Sequence, residues 1–126
     1  MKLIEIWNAQ EALSEVKKLR KSCKVSYDLM KHMKTLNAEI DICEAERLRL
    51  VYEITGVEPG QPVSIEPNTQ EYEQFLKQFS EFLQQECEVK PFPMTLDELV
   101  QHVSVAGNTL SEDTLFRMEP LMRPAD

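Results

Sequence analysis

Glycine is scarce in this chain, with only three in 126 residues, and none of Gly56, Gly60 and Gly107 stands in a phosphate-cradling glycine-rich loop. Nucleotide chemistry of that kind is excluded. Histidine is scarcer: His32 and His102 lie in unrelated segments with ordinary surroundings, and neither sits in a motif that pairs a base with a nucleophile. His32 is expected on the polar face of a long helix and His102 on the polar side of a short one, both solvated. The three cysteines, Cys23, Cys43 and Cys87, cannot all pair within one chain, and they form neither a CxxC nor a Cys/His cluster with metal-ligand spacing. Carboxylates are plentiful, but Glu44 and Glu46 are two apart and diverge on a helix. Glu86 and Glu88 would share a face only on a strand, where a solvated pair is the plainer reading. The expectation is a non-enzymatic protein with no catalytic residue, no metal and no cofactor.

Long apolar runs are also missing, since nothing approaches the roughly 18 residues a membrane span requires. The opening Met1 to Trp7 is interrupted by Glu5 and lacks the pattern of a signal peptide. A soluble protein in a reducing cytoplasm is expected. Basic charge is the minority: 14 Lys and Arg against 22 Asp and Glu give a net charge of −8, which repels phosphate backbones and anionic lipid. Direct nucleic-acid and membrane partners are therefore not expected. The one basic run, Lys17-Lys18-Leu19-Arg20-Lys21 with Lys24 behind it, contains no aromatic for base stacking. It reads either as a solvated helix end, favourably placed against the helix dipole, or as a phosphate-contacting patch.

What is there is helical periodicity. Leu29, Met33, Leu36, Ile40, Cys43, Arg47, Leu50 and Ile54 follow at alternating steps of four and three, a heptad stripe along a helix of about 30 residues that Gly56 stops. Arg47 is the one charge in it. Its stem packs while its head reaches solvent or an acidic neighbour, or else it faces a partner. Upstream, Asn8 with Glu11 reads as a capping box opening a shorter helix through Ala12, Leu13, Val16 and Leu19. A tight reversal at residues 21–24 then makes an antiparallel hairpin over 8–55. A loop with one short extended piece, Val63 to Ile65, is predicted over 56–67. Asn68 with Glu71 reads as the next cap, of a helix over 68–86 carrying Tyr72, Phe75, Phe79 and Phe82, an aromatic stripe of core type. Glu86 to Lys90 suggests a second strand, able to pair with Val63 to Ile65. Two short helices capped by Thr95 and Ser111 follow within 87–122, with a frayed tail over 123–126.

The fold expected is thus mainly α: one domain with a long N-terminal helical hairpin, a third amphipathic helix on it, a minor two-stranded β element and short C-terminal helices. Helix one supplies few apolar residues to cover the heptad stripe. Leu29, Met33, Leu36, Ile40, Arg47 and Leu50 are therefore candidate interface residues for a second copy, as a symmetric homo-oligomer, since an exposed stripe this long exceeds the few hundred Å² a monomer tolerates. The intramolecular alternative folds the phenylalanine helix over the distal half of the hairpin.

The opening Ile4-Glu5-Ile6-Trp7-Asn8-Ala9, the helix end Glu44-Ala45-Glu46-Arg47-Leu48-Arg49-Leu50-Val51-Tyr52, the phenylalanine helix, Glu86-Cys87-Glu88-Val89, and Leu110-Ser111-Glu112-Asp113 through Met118-Glu119-Pro120-Leu121 form an ordered pattern over nearly the whole chain. It resembles a family of small uncharacterised bacteriophage and prophage proteins, a domain of unknown function. The chain departs from that pattern at Cys23, where no proline precedes the helix, and at Thr114, where a leucine is usual. The resemblance implies a phage origin in a bacterial host cytoplasm or a virion, and carries over no functional residue. The expectation is a protein-binding virion structural, assembly or chaperone component. The alternative is a small acidic inhibitor that offers carboxylates where a host defence or transcription protein expects phosphates.

Overall fold

The computed structural model describes residues 1–19 and 21–124. In chain order it runs α1 (Leu3–Asn8), α2 (Gln10–Lys18), α3 (Cys23–Thr55), α4 (Gln70–Leu83), β1 (Phe92–Thr95), α5 (Leu96–Val105), α6 (Glu112–Met118), a 3-10 turn at Glu119–Leu121 and β2 (Met122–Arg123). The mainly α class and the long helix agree with the periodicity. Ser22 caps α3 by accepting from the Val25 amide, and Gly56 ends it in the left-handed region at φ 74°, its amide donating to the Tyr52 carbonyl. The 33 residues between make a rod about 50 Å long.

Three local expectations are corrected. The first arm of the hairpin begins at Leu3, not at residue 8, and Asn8 is the last residue of α1 rather than a cap. Tertiary packing is the reason: Leu3 and Ile6 are buried, and their burial holds the N-terminal residues helical without a side-chain cap. The chain kinks at Ala9, and the carbonyls freed there are met by side chains, Gln10 donating to Trp7 O at 3.0 Å and Arg117 to Asn8 O at 3.0 Å. Second, Thr69 and not Asn68 caps α4, accepting from the Tyr72 amide at 3.1 Å. Asn68 instead takes a positive φ of 65° in the turn after Pro67, a conformation asparagine tolerates better than most residues.

The third correction is the sheet. Val63 to Ile65 and Glu86 to Lys90 do not pair; Glu86 makes only an isolated antiparallel bridge to Lys2. The two strands are β1 and β2, parallel, in register Phe92 to Met122 and Thr95 to Arg123 with an irregularity between. Pro91 and Pro93 obscured β1 in the sequence, but a two-stranded ribbon is all edge, so Pro93 can lack its donor on the outer side while Phe92 and Met94 point inward. In the predicted frayed tail, Arg123 lies in β2 and pairs with Glu98 at 2.7 Å, whereas residues 125 and 126 lie outside the described residues.

Two apolar clusters hold the elements together. The larger joins Ile6, Leu13 and Val16 to the proximal half of α3 (Val25, Leu29, Met33, Leu36) and to Phe92, Leu99, Val103, Met118 and Leu121 from the C-terminal elements. The smaller sets Leu3 against Cys43 and Leu50 of distal α3 and against Phe79 and Leu83 of α4. Residues of α2 near its end thus meet the start of α3, and Leu3 meets its second half, as an antiparallel hairpin requires. Trp7 meets Phe79 edge-on, centroids 5.2 Å apart, and Phe75 and Phe82 stack on either side of it.

Candidate protein-docking surfaces

The heptad stripe is mostly interior. Leu29, Met33, Leu36 and Leu50 are buried by the chain's own elements, α4 over the distal half and the C-terminal elements over the proximal half. The cover that the sequence left open for a second copy is therefore supplied from within. Arg47 is half-buried, and its guanidinium pairs with Glu44 one turn earlier, Nε donating at 3.0 Å; that pairing holds the Glu44 carboxyl below its usual range, against a smaller opposing effect of burial. Ile40 is half-buried as well.

The residues considered for chemistry end up apart. His32 is not a merely solvated side chain: its Nε2 lies 2.6 Å from the Lys90 carbonyl and its ring tilts against Phe92 at 4.4 Å, so it pins the segment before β1 to α3. His102 is exposed on α5. Cys23 is exposed, Cys43 is buried with its thiol pushed up to about 11 chiefly by that burial, and Cys87 Sγ donates to Met1 O at 3.3 Å. Among the described residues no three His, Cys, Asp or Glu side chains are grouped to hold a metal, and no helix is long and apolar enough to cross a membrane.

The stripe reaches the surface at Met33 and Ile40, beside α2. Where α2 and α3 diverge, a cleft of about 430 Å³ opens over Leu13, Met30, Met33 and Ile40, with Gln10, Ser14 and Asn37 on its walls and Lys17 and Lys34 on its rim. Met30 is 53% exposed and Tyr27, one turn earlier, 63%. The cleft adjoins a basic stretch of the chain, for seven of the fourteen basic residues fall between Lys17 and Lys34 in the sequence, with Asp28 the only carboxylate in that stretch. Lys21 has a structural task there, donating to the carbonyls of Val16, Lys17 and Leu19 and so closing the end of α2. Lys17, Lys18, Lys24, Lys31 and Lys34 enter no ion pair among the described residues. The basic run thus divides into a helix cap and an unpaired patch with an exposed aromatic beyond it.

A second surface was not foreseen. Phe116 on α6 is 75% exposed and stands over a cleft of about 600 Å³ lined by Ile4, Asn8 and Pro120, with Glu5 and Glu119 at its edge. Its helix is held firmly. Buried Thr114 donates to Glu15 Oε2 at 2.5 Å, and Arg117 bridges Asp113 and the Asn8 carbonyl. The structure reveals it: Thr114 and Met118 are one turn apart and both buried, which puts Phe116, between them, on the opposite side of a short helix, and a buried threonine gives no apolar period by which the sequence could mark that face.

No family model matches this sequence, and no curated protein or solved structure is similar to it.

Proposed function

We propose that this chain is a non-enzymatic protein-binding domain that docks a partner in the α2–α3 cleft. The observation that carries the reading is Met30. A core-facing helix has no packing use for a methionine more than half exposed beside Tyr27, whereas a flexible thioether over an open apolar floor suits an adaptable protein contact. The phage resemblance extends this to a virion structural, assembly or chaperone component, acting in a bacterial host cytoplasm or within the virion. One observation favours the alternative of a host-directed inhibitor: 21 of the 22 carboxylates lie outside residues 17–34, leaving the remainder of the surface strongly acidic.

Site-specific photocrosslinking tests the reading. With benzoylphenylalanine in place of Met30, expressed in the native background, irradiation is expected to give a covalent adduct with a protein. The same probe in place of exposed Lys77 on α4 gives none. Absence of any protein adduct from position 30 contradicts the proposal, and the mass of the adduct separates a phage or self partner from a host protein.

A further inference from the structure

We infer that copies of this chain assemble head to tail, with Phe116 of one copy seated in the α2–α3 cleft of the next. The inference rests on the cleft being a protein-docking site and names its occupant. Both halves of the contact are on the same molecule, an exposed aromatic ring and an apolar-floored cleft, and the unpaired charges beside them are opposite in sign. One half is a knob, an aromatic ring 75% exposed on a helix whose neighbouring carboxylates, Glu112 and Glu119, enter no ion pair among the described residues. The other half is a hole with an apolar floor of Leu13, Met30, Met33 and Ile40 and a rim of Lys17 and Lys34, also without ion pairs. Methionine sulfur packs well at the edge of an aromatic ring, and lysines on the rim face the carboxylates that flank the knob.

Within one copy the two halves cannot meet. The Thr114–Glu15 and Arg117–Asn8 hydrogen bonds fix α6 against α2 and the end of α1. The cleft instead uses the face of α2 that carries Gln10, Leu13, Ser14 and Lys17. Because knob and hole are different patches, the contact is heterologous, and each added copy leaves one knob and one hole unused. Growth then proceeds to a closed ring or an open filament, not to the symmetric stripe dimer that the sequence suggested. The polar rim makes the contact salt-sensitive.

Sedimentation of the whole chain with two surface variants tests this. Phe116→Glu removes the knob and keeps the hole; Lys17→Glu with Lys34→Glu reverses the rim and keeps the knob. All three positions are exposed, so circular dichroism should show unchanged folds. The unsubstituted chain is expected to associate beyond a dimer with rising concentration, and less so in about 0.5 M salt. Each variant by itself should associate roughly tenfold more weakly or not at all. Mixed together, the two should form a one-to-one dimer and nothing larger, since one intact knob and one intact hole remain. A monomeric unsubstituted chain at every concentration, undiminished assembly of Phe116→Glu, or a mixture that stays monomeric would each overturn the inference. If the chain is monomeric but Met30 crosslinks to a different protein, head-to-tail assembly fails and the docking reading stands. If nothing crosslinks, both fail.

Discussion

Cys43 is 1% exposed between α1 and α4, and burial, with lesser contributions from Glu39 and Cys87, pushes its thiol up to about 11. The thiolate is the reactive form, so at pH 8 only on the order of a thousandth of Cys43 is nucleophilic, and its sulfur is also shielded. Iodoacetamide at that pH is expected to label Cys23 and to leave Cys43 untouched until denaturant is added, as read by peptide mass. Rapid native labelling of Cys43 would contradict the packing. The heptad arginine resolves at this scale too. Arg47 pairs with Glu44 on its own helix, where both side chains keep about a third or more of their exposure, so the pair adds little stability. Thr114 keeps a hydroxyl in the interior because Glu15 accepts from it.

At the scale of elements, α4 adheres through its two buried residues, Phe79 and Leu83, and Phe79 carries the aromatic part of that contact. Phe79 is its most central residue, buried, meeting Trp7 edge-on and flanked by Phe75 and Phe82, whereas Leu76 and Lys77 face out. Phe79→Ala is expected to cost about 3–5 kcal/mol in urea unfolding, because the rings around it cannot collapse into the space without leaving their own contacts. Trp7 is the only tryptophan, so its emission should move to the red in the folded variant. An unshifted spectrum with unchanged stability would mean that α4 is held by something other than this stack.

Across the whole molecule, the same substitution separates interior from surface. Leu36 is fully buried where the proximal half of α3 meets α2 and the C-terminal elements, so Leu36→Glu places an unpaired charge in the larger core and is expected to abolish cooperative thermal unfolding. Phe116→Glu, on the surface, should leave the melting temperature within a few degrees of the parent. Equal tolerance of both would show that the stripe faces outward and that the helices pack differently. The charge distribution also belongs to this scale: a lysine-rich pole at the α2–α3 turn and an acidic remainder give the molecule a direction, as head-to-tail docking requires.

Periodicity and capping are properties of neighbours in the chain. Hence the helical class, the long α3 with its stop at Gly56, and the caps at Thr95 and Ser111 could be read from residues three and four apart, whereas the start of α3 at the Ser22 cap fell inside the predicted reversal. The α1 segment, the parallel strands around Pro93 and the role of His32 could not. Each exists because a distant partner, respectively the distal α3 cluster, Met122–Arg123 and the Lys90 carbonyl, satisfies groups that look unfavourable locally. The site divides the same way. The sequence marked Met33 and Ile40 as apolar positions and residues 17–24 as basic, but an apolar stripe is core or interface according to what covers it. Only the tertiary structure decided that, by folding the C-terminal elements over Leu29 and Leu36 while leaving Met30 and Phe116 in the open.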